Sequence, residues 1–157
     1  MTLLDQAKKF RELFGQEMIP NISRYGFIKK QLWDMQKALI REEGKELLEA
    51  IDECYADPES LKVRTELVKE LSDLVFVCYQ FAATFNIDLD QAMSLIYESN
   101  LTKLDEQGKP IFREDGKVLK GPNYKPPFLE DCLPPLTPTH YDTCLLYTSD
   151  AADDGLS

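Results

Sequence analysis

Through the first hundred residues, apolar side chains recur at the period of an α-helix, and only a few residues separate one such stretch from the next. Long amphipathic helices joined this tightly can bury their stripes in few ways, and an antiparallel bundle is the simplest. Leu3, Leu4, Ala7, Phe10, Leu13 and Phe14 mark a first helix that Gly15 stops. A loop with Pro20 and Gly26 leads to a long helix over about 28–55, striped by Leu32, Met35, Leu39, Leu47, Ala50 and Ile51. Ala56, Asp57, Pro58 and Glu59 interrupt it. Pro58 is expected to open a third helix ending near Phe85, since proline is tolerated in a first turn but not inside a helix. Leu67, Leu71, Leu74, Val75, Cys78, Phe81 and Phe85 line that helix. Asp88 is a good N-cap for a fourth, which carries Leu89, Ala92, Met93 and Ile96 toward Asn100.

From residue 102 the pattern changes. Asp115 and Gly116 lie between the short runs 110–113 and 117–120, a strong local hairpin signal. The stretch 121–127 holds three prolines and a glycine and must be extended coil. The expected fold is therefore all-α: an antiparallel four-helix bundle with a short C-terminal hairpin and an extended coil. One domain spans 1–136, and 137–157 is a tail. Within the tail, 144–154 resembles one reading frame of a transposase-type sequencing adapter, so it is expected to be an assembly artefact replacing the natural ending. His140, the single histidine, stands just before it.

Composition narrows the function. The chain has 157 residues, with 28 acidic against 18 basic side chains and a net charge of −10, which disfavours nucleic acid and acidic membrane surfaces as partners. No apolar run is long enough to span a bilayer, and 1–14 carries charges where a signal peptide would be apolar. Cys54, Cys78, Cys132 and Cys144 form no CxxC pair, so neither zinc nor a disulfide framework is expected, and the reducing cytoplasm is the natural compartment. Cys54 and Cys78 read as core or near-core residues.

The chemistry lies in two carboxylate pairs. Glu43 and Glu46 stand three apart on the second helix, and Glu70 and Asp73 three apart on the third, so each pair shares one helix face. Both border apolar stripes. If the helices pack antiparallel, four carboxylates converge at the edge of the core, where repulsion and desolvation penalise them unless a cation joins them. All-oxygen ligation favours Mg²⁺, or Mn²⁺, over zinc. Ferritin-like di-iron chemistry needs Glu-x-x-His motifs, and 1–139 contains no histidine.

Glu42, Glu43 and Glu46, followed by Glu70 and Asp73, resemble the EExxE…ExxD signature of the all-α nucleoside triphosphate pyrophosphohydrolases. That group includes MazG-like proteins, phosphoribosyl-ATP pyrophosphohydrolases and dimeric dUTPases. The resemblance continues through Ser99, Asn100, Leu101, Thr102, Lys103 and Leu104. It then follows 115–127, with its glycine, proline and tyrosine, which looks like a phage and bacterial MazG-like branch. It covers roughly 1–131. It implies hydrolysis of (deoxy)nucleoside triphosphates between the α and β phosphates, giving a monophosphate and pyrophosphate, with dUTP or dCTP as the first substrates to assay. It implies Glu43, Glu46, Glu70 and Asp73 as ligands of Mg²⁺ or Mn²⁺. Glu42 points about 100° away from Glu43 on a helix. It stands as the residue orienting water, as a further ligand, as a support behind the ligands, or as a plain surface charge. Asn100 and Lys103 fall in a region the family uses for nucleotide contacts. Lys120, Tyr124 and Lys125 could close over phosphates, and Trp33, Phe10 and Phe14 could stack on a base. Family members are dimers or dimers of dimers, and long apolar faces on few helices agree with a homodimer or homotetramer. The alternative is a non-catalytic helical module that binds metal or a partner through its acidic faces.

Overall fold

The computed structural model describes residues 1–22 and 29–134. The centre of the first loop with Gly26, the tail 137–157 and His140 lie outside the described residues. Among the described residues four α-helices carry the fold: α1 (Leu3–Leu13), α2 (Lys30–Ala56), α3 (Leu61–Thr84) and α4 (Leu89–Leu101). A 3-10 turn, Glu130–Cys132, follows the long C-terminal segment. Among the described residues no helix is long and apolar enough to cross a membrane.

Each boundary has a local cause. Thr2 caps α1 by accepting from the Asp5 amide, while the Asp5 carboxylate accepts from the Thr2 amide, a reciprocal box. Gly15 follows the helix at φ 62°, a left-handed turn that favours glycine. α3 begins later than the sequence suggests. Its first residue is Leu61 rather than Pro58, and Ser60 is the N-cap, with the hydroxyl accepting from the Val63 amide and so satisfying a free helix amide. Asp88 caps α4 as expected, accepting from the Gln91 amide at 3.0 Å. Between α3 and α4, Asn86 takes φ 54° and its side-chain amide donates to the Pro20 carbonyl at 3.0 Å, tying that turn to the loop after α1.

α2 and α3 form the longest contact, and α1 lies along α3. Leu4 and Ala7 of α1 pack on Tyr79, Ala82 and Ala83, the small alanines allowing close approach, with Met18, Ile87 and Leu89 around them. Arg11 is buried beside this core. Its guanidinium donates twice to the Glu17 carbonyl and once to Gln80 Oε1, which satisfies a charge that burial would otherwise penalise. Cys54 and Cys78 are half-buried. α4 packs on α1 and on the 3-10 turn. That turn folds back over the start of α4, where the Asp88 amide donates to the Cys132 carbonyl.

The hairpin around Asp115 is present in reduced form. Phe112 and Val118 make an isolated antiparallel bridge, the Arg113 amide donates to the Lys117 carbonyl, and Gly116 sits at φ 85°. This is a three-residue loop closed by a left-handed glycine, and the flanks are too short and exposed to extend into strands. The coil after it is strapped to the end of α4. The Lys125 amide donates to Thr102 Oγ1, and the Ser99 hydroxyl donates to the Lys125 carbonyl. Gly121 makes the crossing possible, since a Cβ there would stand 1.8 Å from the Leu104 carbonyl oxygen.

Candidate functional site

At one end of the α2–α3 pair, Trp33 stacks on Phe85 at 4.1 Å and meets Phe81 edge-on. At the other end the 57–60 turn joins the helices. The pair is thus antiparallel along its length, and this register sets the middle of α2 against the first half of α3. There the carboxylate oxygens of Glu43, Glu46 and Glu70 all lie within 4.8 Å of one another. Glu70 is buried, and Glu43 and Glu46 are half-buried.

Asp73 stands beside this trio rather than in it. Its carboxylate is held by Lys69, whose Nζ lies 3.1 Å from Asp73 Oδ2 and 2.7 Å from Glu70 Oε1. Glu42 is exposed and adds its negative potential to Glu43 and Glu46. Two participants escape a search for paired acids. One is Lys69. The other is Glu66, one turn before Glu70, which helps to hold the Glu70 carboxyl below its ordinary value. Their signal in the sequence is spacing alone, since Glu66 and Glu70 are four apart, as are Lys69 and Asp73.

The electrostatics are those of a crowded anion cluster. Partial desolvation, then the charges of Glu46, Asp73 and Glu70, raise Glu43 above the ordinary carboxylate value. Desolvation and Glu70 do the same to Glu46. Glu70 moves the other way, mainly because Lys69 donates to it, and Lys69 is raised in turn by Glu70 and Asp73. Glu70 Oε2 is buried and receives no hydrogen bond. The neighbouring carboxylates, Glu43, Glu46 and Glu66, are acceptors themselves unless one keeps a proton. An orphaned buried oxygen among three converging carboxylates, with no nitrogen or sulfur donor, fits a hard divalent cation.

A pH dependence follows. For Glu43 and Glu46 the folded chain holds protons that the unfolded chain releases near 4.5, so stability falls as pH rises from 4.5 through their raised values. For Glu70 the sign is opposite, and stability is lost as pH falls below 4.5. The metal-free protein is therefore expected to gain more melting temperature between pH 7 and about pH 5 than Glu46→Gln does. Equal gains in the two proteins, measured by thermal denaturation in chelator, would contradict the cluster.

The remaining expected residues gather elsewhere. Asn100 and Lys103 are one turn apart at the end of α4, and the Lys103 amide donates to the Asn100 carbonyl. Lys120 lies 4.5 Å over the Tyr124 ring, and Lys125 is held by the strap described above. This basic group belongs to α4 and its coil, whereas the acids belong to α2 and α3. Trp33 belongs to an aromatic cluster about 15 Å along α2 from Glu43, by helix rise. Phe10 meets Phe14 at 4.5 Å and Phe76 edge-on at 5.4 Å, and Phe76 is one turn from Asp73. An open groove of about 540 Å³ lies there, lined by Leu3, Leu71, Val75, Phe76 and Tyr79 with Asp73 at its edge.

The family model for phosphoribosyl-ATP pyrophosphohydrolase matches residues 7–100, from α1 to the end of α4. The chain belongs to the phosphoribosyl-ATP pyrophosphohydrolase family. No individual curated protein matches it significantly. The match spans all five acidic residues of the signature and ends on Asn100, and it agrees with the MazG-like pyrophosphohydrolase resemblance. Membership in this pyrophosphohydrolase family implies a hydrolase that acts on a nucleotide pyrophosphate bond. Such enzymes are typically dependent on a divalent metal, and the Glu43, Glu46 and Glu70 cluster suits that dependence.

Proposed function

We propose that this phosphoribosyl-ATP pyrophosphohydrolase family member hydrolyses (deoxy)nucleoside triphosphates between the α and β phosphates, with Mg²⁺ or Mn²⁺. The observation that carries the reading is the convergence of Glu43, Glu46 and Glu70 around an unpartnered buried oxygen. These residues, with Asp73, would hold the cation. When bound, it supplies charge neutralisation for the phosphates and a more acidic water. Glu42, exposed beside the trio, orients water from the solvent side. Lys103, Lys120 and Lys125 supply positive charge for the leaving pyrophosphate, and Asn100 and Tyr124 offer neutral hydrogen bonds.

Acids and cations sit on different elements of one copy, and the helices also expose large apolar side chains. Leu48 and Tyr55 of α2, Val68 and Leu71 of α3, and Tyr97 and Leu101 of α4 are all more than half exposed. A homodimer or homotetramer covers these faces and unites the two groups.

The family's own name supports a second substrate, phosphoribosyl-ATP, cut at the equivalent bond. A panel of nucleoside triphosphates plus phosphoribosyl-ATP, assayed for pyrophosphate with Mn²⁺ and again in excess chelator, separates the readings. Metal-dependent release from dUTP or dCTP supports the proposal. Release from phosphoribosyl-ATP alone supports the second substrate. Metal binding without release from any nucleotide supports a non-catalytic module.

A further inference from the structure

Lys69 divides the carboxylate cluster in two. On one side its ammonium engages Glu70 Oε1 at 2.7 Å and Asp73 Oδ2 at 3.1 Å. On the other, Glu70 Oε2 is left without a hydrogen bond, and Glu43 and Glu46 converge on the same residue. We propose that Lys69 is an internal counter-cation of the carboxylate site. It neutralises Glu70 and Asp73 while no divalent ion is held, and it must leave before Asp73 can join Glu43, Glu46 and Glu70 around one. The inference rests on the metal reading above and adds a residue that sets metal affinity.

Three features support displacement over a fixed structural ion pair. Asp73 is the one signature acid of α3 outside the converging trio, and Lys69 holds it. The Lys69 side chain is 55% exposed on a flexible four-carbon stem, so it can swing into water without opening the core. Glu70 is buried, and an ionised carboxylate so placed needs a positive charge facing it. An ammonium and a divalent cation cannot share the same two carboxylates at contact distance without strong mutual repulsion. Lys69 is therefore a positioning residue for the empty site and a competitor for the occupied one.

The test is Mn²⁺ binding to the nucleotide-free protein, read from the free-ion paramagnetic resonance signal at constant salt. Lys69→Met is expected to bind Mn²⁺ about tenfold more tightly, because entry no longer displaces two charge-assisted contacts. Lys69→Arg, whose fork grips carboxylates in pairs, is expected to bind no more tightly than the wild type. Lys45→Met is the charge control. Lys45 pairs with Glu49 at 3.7 Å on α2, so its loss changes net charge equally without freeing Glu70 or Asp73. Melting curves in chelator accompany each variant. A purely structural Lys69 would lower the melting temperature of Lys69→Met and leave its Mn²⁺ affinity at that of Lys45→Met, which overturns the inference. Tighter binding by Lys69→Arg overturns it as well. If neither wild type nor Lys69→Met binds Mn²⁺, the metal reading itself fails and takes the inference with it.

Discussion

Glu46→Gln is expected to lower turnover by on the order of 10²- to 10³-fold, the cost of removing one preorganised electrostatic group at a reacting centre. Glutamine keeps the shape of the side chain and loses its charge. Glu46 is half-buried in the middle of α2, where glutamine has equal helix propensity, so the fold is expected to survive. The change also removes repulsion. Glu46 is the carboxylate that desolvation and Glu70 push toward its protonated form, and its replacement gives Glu70 an amide donor. Stability in chelator should therefore not fall, and the stabilisation that Mn²⁺ gives the wild type should shrink. Turnover near the wild-type rate in Glu46→Gln would remove the residue from the site. A collapse of stability in chelator would show that Glu46 holds the α2–α3 pair together by a contact of its own. Initial rates and melting curves, each with and without Mn²⁺, distinguish these results.

The acidic site was legible because its signal is local. Two residues three apart on a helix share a face whatever the helix packs against, so Glu43 with Glu46 and Glu70 with Asp73 could be paired before any tertiary contact was known. Antiparallel packing of α2 and α3 then followed from the brevity of the 57–60 turn. Lys69 was legible only as the partner four residues before Asp73; its bond to Glu70 was not, because adjacent helix residues start on different faces. Only a long, flexible side chain brings its ammonium back, and helical spacing does not report such reach. Arg11 was hidden for a related reason. An arginine on a helix stripe reads as surface, and its burial depends on the Glu17 carbonyl and Gln80, which tertiary folding supplies. The start of α3 lies three residues after Pro58, at Leu61, because proline and serine both signal helix starts, and a cap is decided by which side chain reaches the free amides. The separation of α4 from the acids is a property of packing, and periodicity describes one helix at a time.

Hydrolysis in ¹⁸O-labelled water is expected to place the label in the nucleoside monophosphate and to yield pyrophosphate, with no diphosphate or free phosphate. This is an all-or-none difference in products. The carboxylates of Glu43, Glu46 and Glu70 converge at one point, whereas Lys103, Lys120 and Lys125 belong to the end of α4 and its coil. A triphosphate spanning acids and lysines has its attacked phosphorus at the acidic end and its departing charge at the basic end. The bond that breaks is then the one before the larger anionic fragment, between the α and β phosphates. The sequence also lacks the GxxxxGK[ST] loop whose amides cradle the outer phosphates in enzymes that cut between β and γ. Phosphoribosyl-ATP, as the second substrate, shares this outcome, with label in the phosphoribosyl nucleotide and unlabelled pyrophosphate leaving. Mass spectrometry of the products reads the result directly. Label in orthophosphate, with a diphosphate accumulating, would mean attack at the γ phosphorus. The acids would then lie beside the terminal phosphate, and the lysines of the α4 coil would have no leaving group to meet.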